Sequence, residues 1–169
     1  MPRRFVFRHQ TPPCVPCWLK AGIGTVISLG IIALIDDFSG APMLAAPLGA
    51  SAVMVFGFPE SPMSQPANLV GGHILATLVG LLFDHFLPGG WAAMAGSVAV
   101  VMVMLALLRL THPPAAADPL VVMMSHPGWG FLLMPVLLGT VILVVMAVVI
   151  HRLPPRSVYP LPIHPPPGG

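Results

Sequence analysis

The chain has 169 residues, of which 56% are hydrophobic and only 7% charged, with a formal net charge of +2. A soluble domain carries about 25% charged residues to keep its surface wetted, so most of this chain must face something apolar, which makes it an integral membrane protein in contact with the lipid bilayer. The small net charge argues against a nucleic-acid partner, and the few Lys and Arg matter through where they fall along the chain.

Residues 1–17 are polar, basic and proline-containing, with Arg3, Arg4 and Arg8 but no apolar core or small-residue cleavage site for a signal peptide. They read as a cytoplasmic tail. Cys14 and Cys17 form a C-x-x-C pair there, read as incidental thiols in a flexible segment. A redox protein would need a supporting fold or a second pair, and a zinc site two more ligands, with only His9 close in sequence. The first apolar span runs from Trp18 to Ile35 and ends at Asp36 and Asp37, followed by a loop over 36–42. A shorter apolar stretch runs from Pro47, well placed for a first helical turn, to Phe58, with Pro59 as its stop. It is short for a crossing and reads as a half-helix.

After the proline-rich turn 59–66, residues 67–87 make a second long span carrying Asn68, Gly71, Gly72 and His73. Trp91–Leu110 is a third, with Arg109 at its end. Thr111-His112-Pro113-Pro114 opens another short segment that reaches Met124, and Trp129–Ile150 is the last long span. The tail 153–169 is proline-rich and expected to be extended or disordered.

The fold expected is therefore all-α: a small bundle of four long transmembrane helices plus two short half-helices, within a domain over 18–152. The order long, short, long recurs in 18–87 and 91–152, which reads as a repeat with a transport pathway at its interface. The alternative is that any glycine-rich membrane chain looks repetitive. Six crossings with both termini cytoplasmic would put Lys20, Arg109, Arg152 and Arg156 on the cytoplasmic side and make the repeats inverted, whereas four crossings would move Arg109 outside.

Two prolines after His112 cannot continue a helix but can start one. Free N–H groups near Thr111, His112, Pro113 and Pro114 would then suit an anion, and Gly49 and Ser51 mark the analogous start in the first half. Plain helix starts packed on their neighbours account for both equally well. His73 follows Gly71 and Gly72 at membrane depth, where an ionisable residue faces a cavity or a partner; a neutral histidine bonded to a backbone carbonyl is the bland alternative. Asp118 is read first as a structural partner of Arg109 and second as a proton site. The eleven methionines are scattered and read as packing residues; no metal or cofactor is expected.

The run Ser61-Pro62-Met63-Ser64-Gln65-Pro66-Ala67-Asn68-Leu69-Val70-Gly71-Gly72-His73, preceded by Gly49-Ala50-Ser51-Ala52 and followed by His112-Pro113-Pro114-Ala115, resembles the HPP family of integral membrane proteins. The resemblance covers residues 18–152. Plant members are associated with nitrite transport into chloroplasts, so it implies a transporter of nitrite or a similar small anion. Ala116 stands where members often have Gly, and no soluble domain after the membrane part is expected here.

The leading expectation is a transporter or channel for a small inorganic anion, not an enzyme, in a bacterial inner membrane and as a homo-oligomer. Gln65 and Asn68 would contribute neutral amides to the path. One alternative is an intramembrane hydrolase pairing Ser51 with His73 or His112, although Ala52 breaks the Gly-x-Ser-Gly pattern of rhomboid-like proteases. The other is a redox protein using Cys14 and Cys17.

Overall fold

The computed structural model describes residues 12–40 and 46–162. Arg3, Arg4, Arg8, His9 and the second His-Pro-Pro at 164–166 lie outside the described residues. Every regular element described is helical: α1 (Val15–Ser39), α2 (Ala46–Gly57), α3 (Pro66–Phe86), α4 (Trp91–Leu107), α5 (Asp118–Ser125) and α6 (Leu138–Arg152). Pro62–Ser64, Pro113–Ala117 and Trp129–Leu132 form 3-10 turns, and Leu133–Leu137 a π-helical turn that leads into α6.

Contacts between the ends of these elements fix their directions. At one end of the bundle the Trp18 and Phe58 rings meet edge-on with centroids 5.6 Å apart, and Asn68 Nδ2 donates to the carbonyl of Arg109 at 3.3 Å. Lys20 Nζ reaches the carbonyls of Leu153 and Pro155 at this end as well. At the opposite end His126 Nδ1 lies 2.6 Å from Asp84 Oδ1, and the His85 and Trp129 rings are 6.4 Å apart. The chain therefore leaves the first end along α1, returns in α2, leaves in α3, returns in α4, leaves again through 113–125 and returns in α6. Lys20, Arg109, Arg152 and Arg156 gather at the first end, while Asp84 lies at the other and Asp36 and Asp37 at the far end of α1.

Three apolar clusters hold the bundle together: one around Ile32, Val55, Leu69 and Leu143, one around Ala76, Val101 and Ala115, and one around Leu81, Val122 and Phe131. Large apolar side chains also point outward, Val26 at 72% and Met102 at 66% exposure among them. Such residues would be costly in water, so their exposure identifies the lipid-facing surface.

Several boundaries differ from the sequence expectation. Helix α1 runs through Asp36 and Asp37 to Ser39, because carboxylates end the apolar run without breaking the backbone; Gly40, in the left-handed region at φ 65, caps it. Among the described residues three segments are long and apolar enough to cross a membrane, Val15–Ser39, Pro66–Phe86 and Trp129–Arg152, whereas α4 has 17 residues. It stops at Leu107 because Arg109 adopts a left-handed φ of 58 and turns Leu110 inward against Gly71. The last span is not one straight helix: Met134 is non-helical and Pro135 follows it. Cys14 and Cys17 are not free thiols in a loose segment; they are joined as a disulfide at the start of α1. The described part of the tail, residues 153–162, has no helix and is seated on the bundle. Tyr159 is buried in the first apolar cluster, and the Leu161 N–H donates to Gln65 Oε1 at 2.8 Å.

Candidate functional site

Four buried polar side chains from separate parts of the chain meet inside the bundle. Ser51 is on α2 and His73 on α3, about 10 Å in from the helix start at 1.5 Å per residue. Asp118 begins α5, and His112 sits in the extended turn after α4 with φ −138. Ser51 and His112 have no exposed surface, and His73 and Asp118 retain 1% and 4%. Gly72 makes room for this meeting, since a Cβ there would lie 3.0 Å from His112 Cβ and 3.1 Å from the Leu110 carbonyl.

The side chains form one continuous hydrogen-bonded chain. Asp118 Oδ2 is 2.7 Å from His73 Nδ1, and His73 Nε2 is 2.7 Å from Ser51 Oγ. Ser51 Oγ is 2.8 Å from His112 Nε2, and His112 Nδ1 is 2.7 Å from the Met63 carbonyl. Thr77, one turn beyond His73 on α3, donates to Asp118 Oδ2 at 3.3 Å. Burying these groups costs several kcal/mol unless each is partnered, and here every polar atom named has a partner.

The other sequence-selected residues surround this chain. Asn68 donates to the carbonyls of Arg109 and Thr111, which ties the start of α3 to the turn holding His112. Gln65 Nε2 donates to the Pro59 and Ser61 carbonyls at 2.9 Å each and so fastens its own loop. Thr111 Oγ1 reaches back to the Leu105 carbonyl at 3.5 Å. Gly49 faces open space. Pro113 and Pro114 do start a helical segment, but it is a 3-10 turn whose Ala115 N–H is taken by the His112 carbonyl at 3.0 Å, and α-helix begins only at Asp118. The expected pairing of Asp118 with Arg109 is replaced by the His73 and Thr77 contacts: Arg109 turns away at the end of the bundle, while Asp118 points into it against α3. Among the described residues no three His, Cys, Asp or Glu side chains are arranged to hold a metal ion.

His73 closes the motif S-P-x-x-Q-P-x-N-x-x-G-G-H and His112 opens H-P-P, while Ser51 lies in Gly49-Ala50-Ser51-Ala52 and Asp118 follows Pro114 by four residues. Residues 10–160 match the family described as "HPP, transmembrane region". The chain belongs to the HPP transmembrane family. Two curated relatives, both named only as transmembrane proteins and both from Dictyostelium discoideum, are 32% identical over 127 residues and 29% identical over 154 residues. These alignments cover 70% and 85% of this chain but 45% and 49% of the relatives, so the chain spans about half the length of the curated relatives it matches. No solved structure matches it.

Proposed function

We propose that this HPP-family protein carries a small inorganic anion across a membrane, with nitrite the leading candidate, and that the Ser51–His73–His112–Asp118 chain is the centre through which it does so. The observation that carries this reading is the complete burial of two histidines, an aspartate and a serine in one hydrogen-bonded chain between apolar helices. Ionisable groups at membrane depth are retained where ions or protons pass. A purely structural link between helices would need a single serine or asparagine, not two imidazoles and a carboxyl. The basic end bearing Lys20, Arg109, Arg152 and Arg156 faces the cytoplasm on the positive-inside rule, with both termini there. The alternating directions of the elements suit two inverted halves, 18–87 and 91–152, and a bundle this small suits a homo-oligomer. The Dictyostelium relatives lend no support to a bacterial membrane. The test is uptake of nitrite, nitrate, formate and chloride into proteoliposomes, with Ser51→Ala as the comparison. Uptake of none of them above protein-free vesicles would defeat the proposal.

One observation favours a second reading. Ser51, His73 and Asp118 stand in the order and spacing of a Ser–His–Asp hydrolase. Against it, Ser51 Oγ is held by two imidazoles at once and has no exposed surface for a substrate to reach. Covalent labelling of Ser51 by a fluorophosphonate would decide for the hydrolase.

A further inference from the structure

The Met63 carbonyl can only accept, so His112 Nδ1 must carry a hydrogen. Each of the four bonds of the chain, Asp118–His73, His73–Ser51, Ser51–His112 and His112–Met63, needs one hydrogen and no more. Four protons fill it in three ways. Asp118 is protonated and both imidazoles neutral; or Asp118 is ionised with His73 doubly protonated; or Asp118 is ionised with His112 doubly protonated. All three are net neutral, and they interconvert by shifting hydrogens along the chain. Removing a proton leaves two acceptors facing each other. Adding one leaves both imidazoles donating to Ser51 Oγ, whose own hydrogen then turns out of the chain.

We infer that uptake of a fifth proton turns the Ser51 hydroxyl hydrogen out of the chain and creates the anion site, so that the protein carries one proton with each anion. With five protons both His73 and His112 present Nε2–H toward Ser51, whose own O–H has lost its acceptor. Three donors and a net charge of +1 then converge on one buried point, where an anion's oxygens can accept from all three. Anion and proton leave together, and the four-proton chain closes again without a trapped charge. No other titratable group faces these atoms among the described residues. The other buried hydroxyls of Ser28 on α1, Ser97 on α4 and Thr140 on α6 donate to carbonyls of their own helices, and His151 on α6 is turned to the Val55 carbonyl.

This inference rests on the transport reading, and one experiment separates the two. Proteoliposomes holding a pH-sensitive dye are given nitrite, with protein-free vesicles subtracted for passage of the neutral acid through lipid, and nitrate as a second probe. The expected result is one proton entering per anion, with uptake indifferent to an imposed potassium diffusion potential because the pair is neutral. At subsaturating anion, uptake should fall about tenfold per pH unit above the point where the fifth proton is lost. His112→Gln keeps a donor but cannot take a proton; where it elutes as the wild type does, its remaining uptake should bring no proton and should follow the potential. Wild-type uptake that brings no proton and follows the potential overturns the inference and leaves the transport reading standing. No uptake of any anion overturns both.

Discussion

Gly80 of α3 lies against Pro119 at the start of α5, so close that a Cβ on Gly80 would fall 2.8 Å from Pro119 Cα and 3.2 Å from Val122 Cβ. The nearer atom is backbone and cannot swing aside. This contact sets how near α5 comes to α3, and with it the reach of Asp118 to His73 and Thr77. Gly80→Ala should therefore destabilise the protein by about 1–3 kcal/mol, the usual cost of overpacking a tight contact, and should lower anion uptake as well. Gly96→Ala is the control, because a Cβ there meets only Phe83 at an ordinary 3.7 Å. Thermal unfolding in detergent should separate the two variants; equal melting temperatures would remove the spacing role given to Gly80.

Ser51→Ala removes the oxygen shared by His73 and His112 and leaves two buried imidazole nitrogens facing a methyl group. Leaving a buried polar group unpartnered costs about 1–3 kcal/mol, so a melting temperature well below that of wild type is expected, together with loss of uptake. Ser51→Thr keeps the oxygen and should retain more of both. A Ser51→Ala protein as stable as the wild type would mean that the two histidines pair directly and that the serine is not the link.

Asp118→Asn tests the carboxyl end of the chain. An asparagine amide can donate to His73 Nδ1 and keep that bond, yet it can neither take nor give a proton. The fold should survive, with melting close to wild type, and the fifth proton, taken on His112, should still enter with each anion. Loss of proton-linked uptake in a stable Asp118→Asn protein would show that the carboxyl itself must give or take the proton.

Much of this fold is legible in the sequence because membrane helices advertise themselves by apolar length and proline stops. Helices α2 and α3 begin one residue before their expected starts, and His73 and His112 stand out as ionisable residues in apolar surroundings. The partners of Asp118 are not legible in this way: the sequence reading pairs it with Arg109, whereas the structure pairs it with His73 and Thr77. A signal existed: His73 and Thr77 are four apart on α3 and so share a helix face, which suits two groups converging on one carboxylate. The broken start of the last span also had a signal in Pro135. The early end of α4 had none, because it depends on Leu110 turning back against Gly71. Nor did the seating of residues 153–162 on the bundle, which rests on the burial of Tyr159.

The placement of basic and acidic ends gives a labelling prediction. In a background where Cys14 and Cys17 are replaced, single cysteines at Asp37, Gly89 and Ser125 should all react with an impermeant maleimide from the side opposite to one at Arg109 or Arg156. All three sit at the ends where α1, α3 and α5 finish or α4 starts, and charge predicts that end to be outside the cytoplasm. Reaction of Gly89 and Arg109 from the same side would mean that α4 does not cross.

Tyr159 offers a prediction in which removing a polar atom helps. Its ring is 7% exposed, packs in the first apolar cluster and lies 5.5 Å from the His151 ring, yet its hydroxyl is buried without a partner. Tyr159→Phe discards an unpaired hydroxyl and keeps the ring, so stability should hold or rise by up to about 1 kcal/mol. Tyr159→Ala deletes the ring and should cost about 3 kcal/mol, freeing the tail that Lys20 and Gln65 hold, which limited proteolysis would register as faster cleavage after Leu153. Burial also raises the phenol above its ordinary pKa of 10.0. Because the folded value is the higher one, the neutral hydroxyl's contribution is intact below pH 10.0 and declines above it, as the unfolded chain ionises more readily than the folded one. Wild type should therefore lose melting temperature between pH 9 and 11 more steeply than Tyr159→Phe does, a range set by that ordinary value and roughly one unit either side of it. Parallel losses in the two proteins would show that the tyrosine is ionised freely and that the tail is not seated against His151.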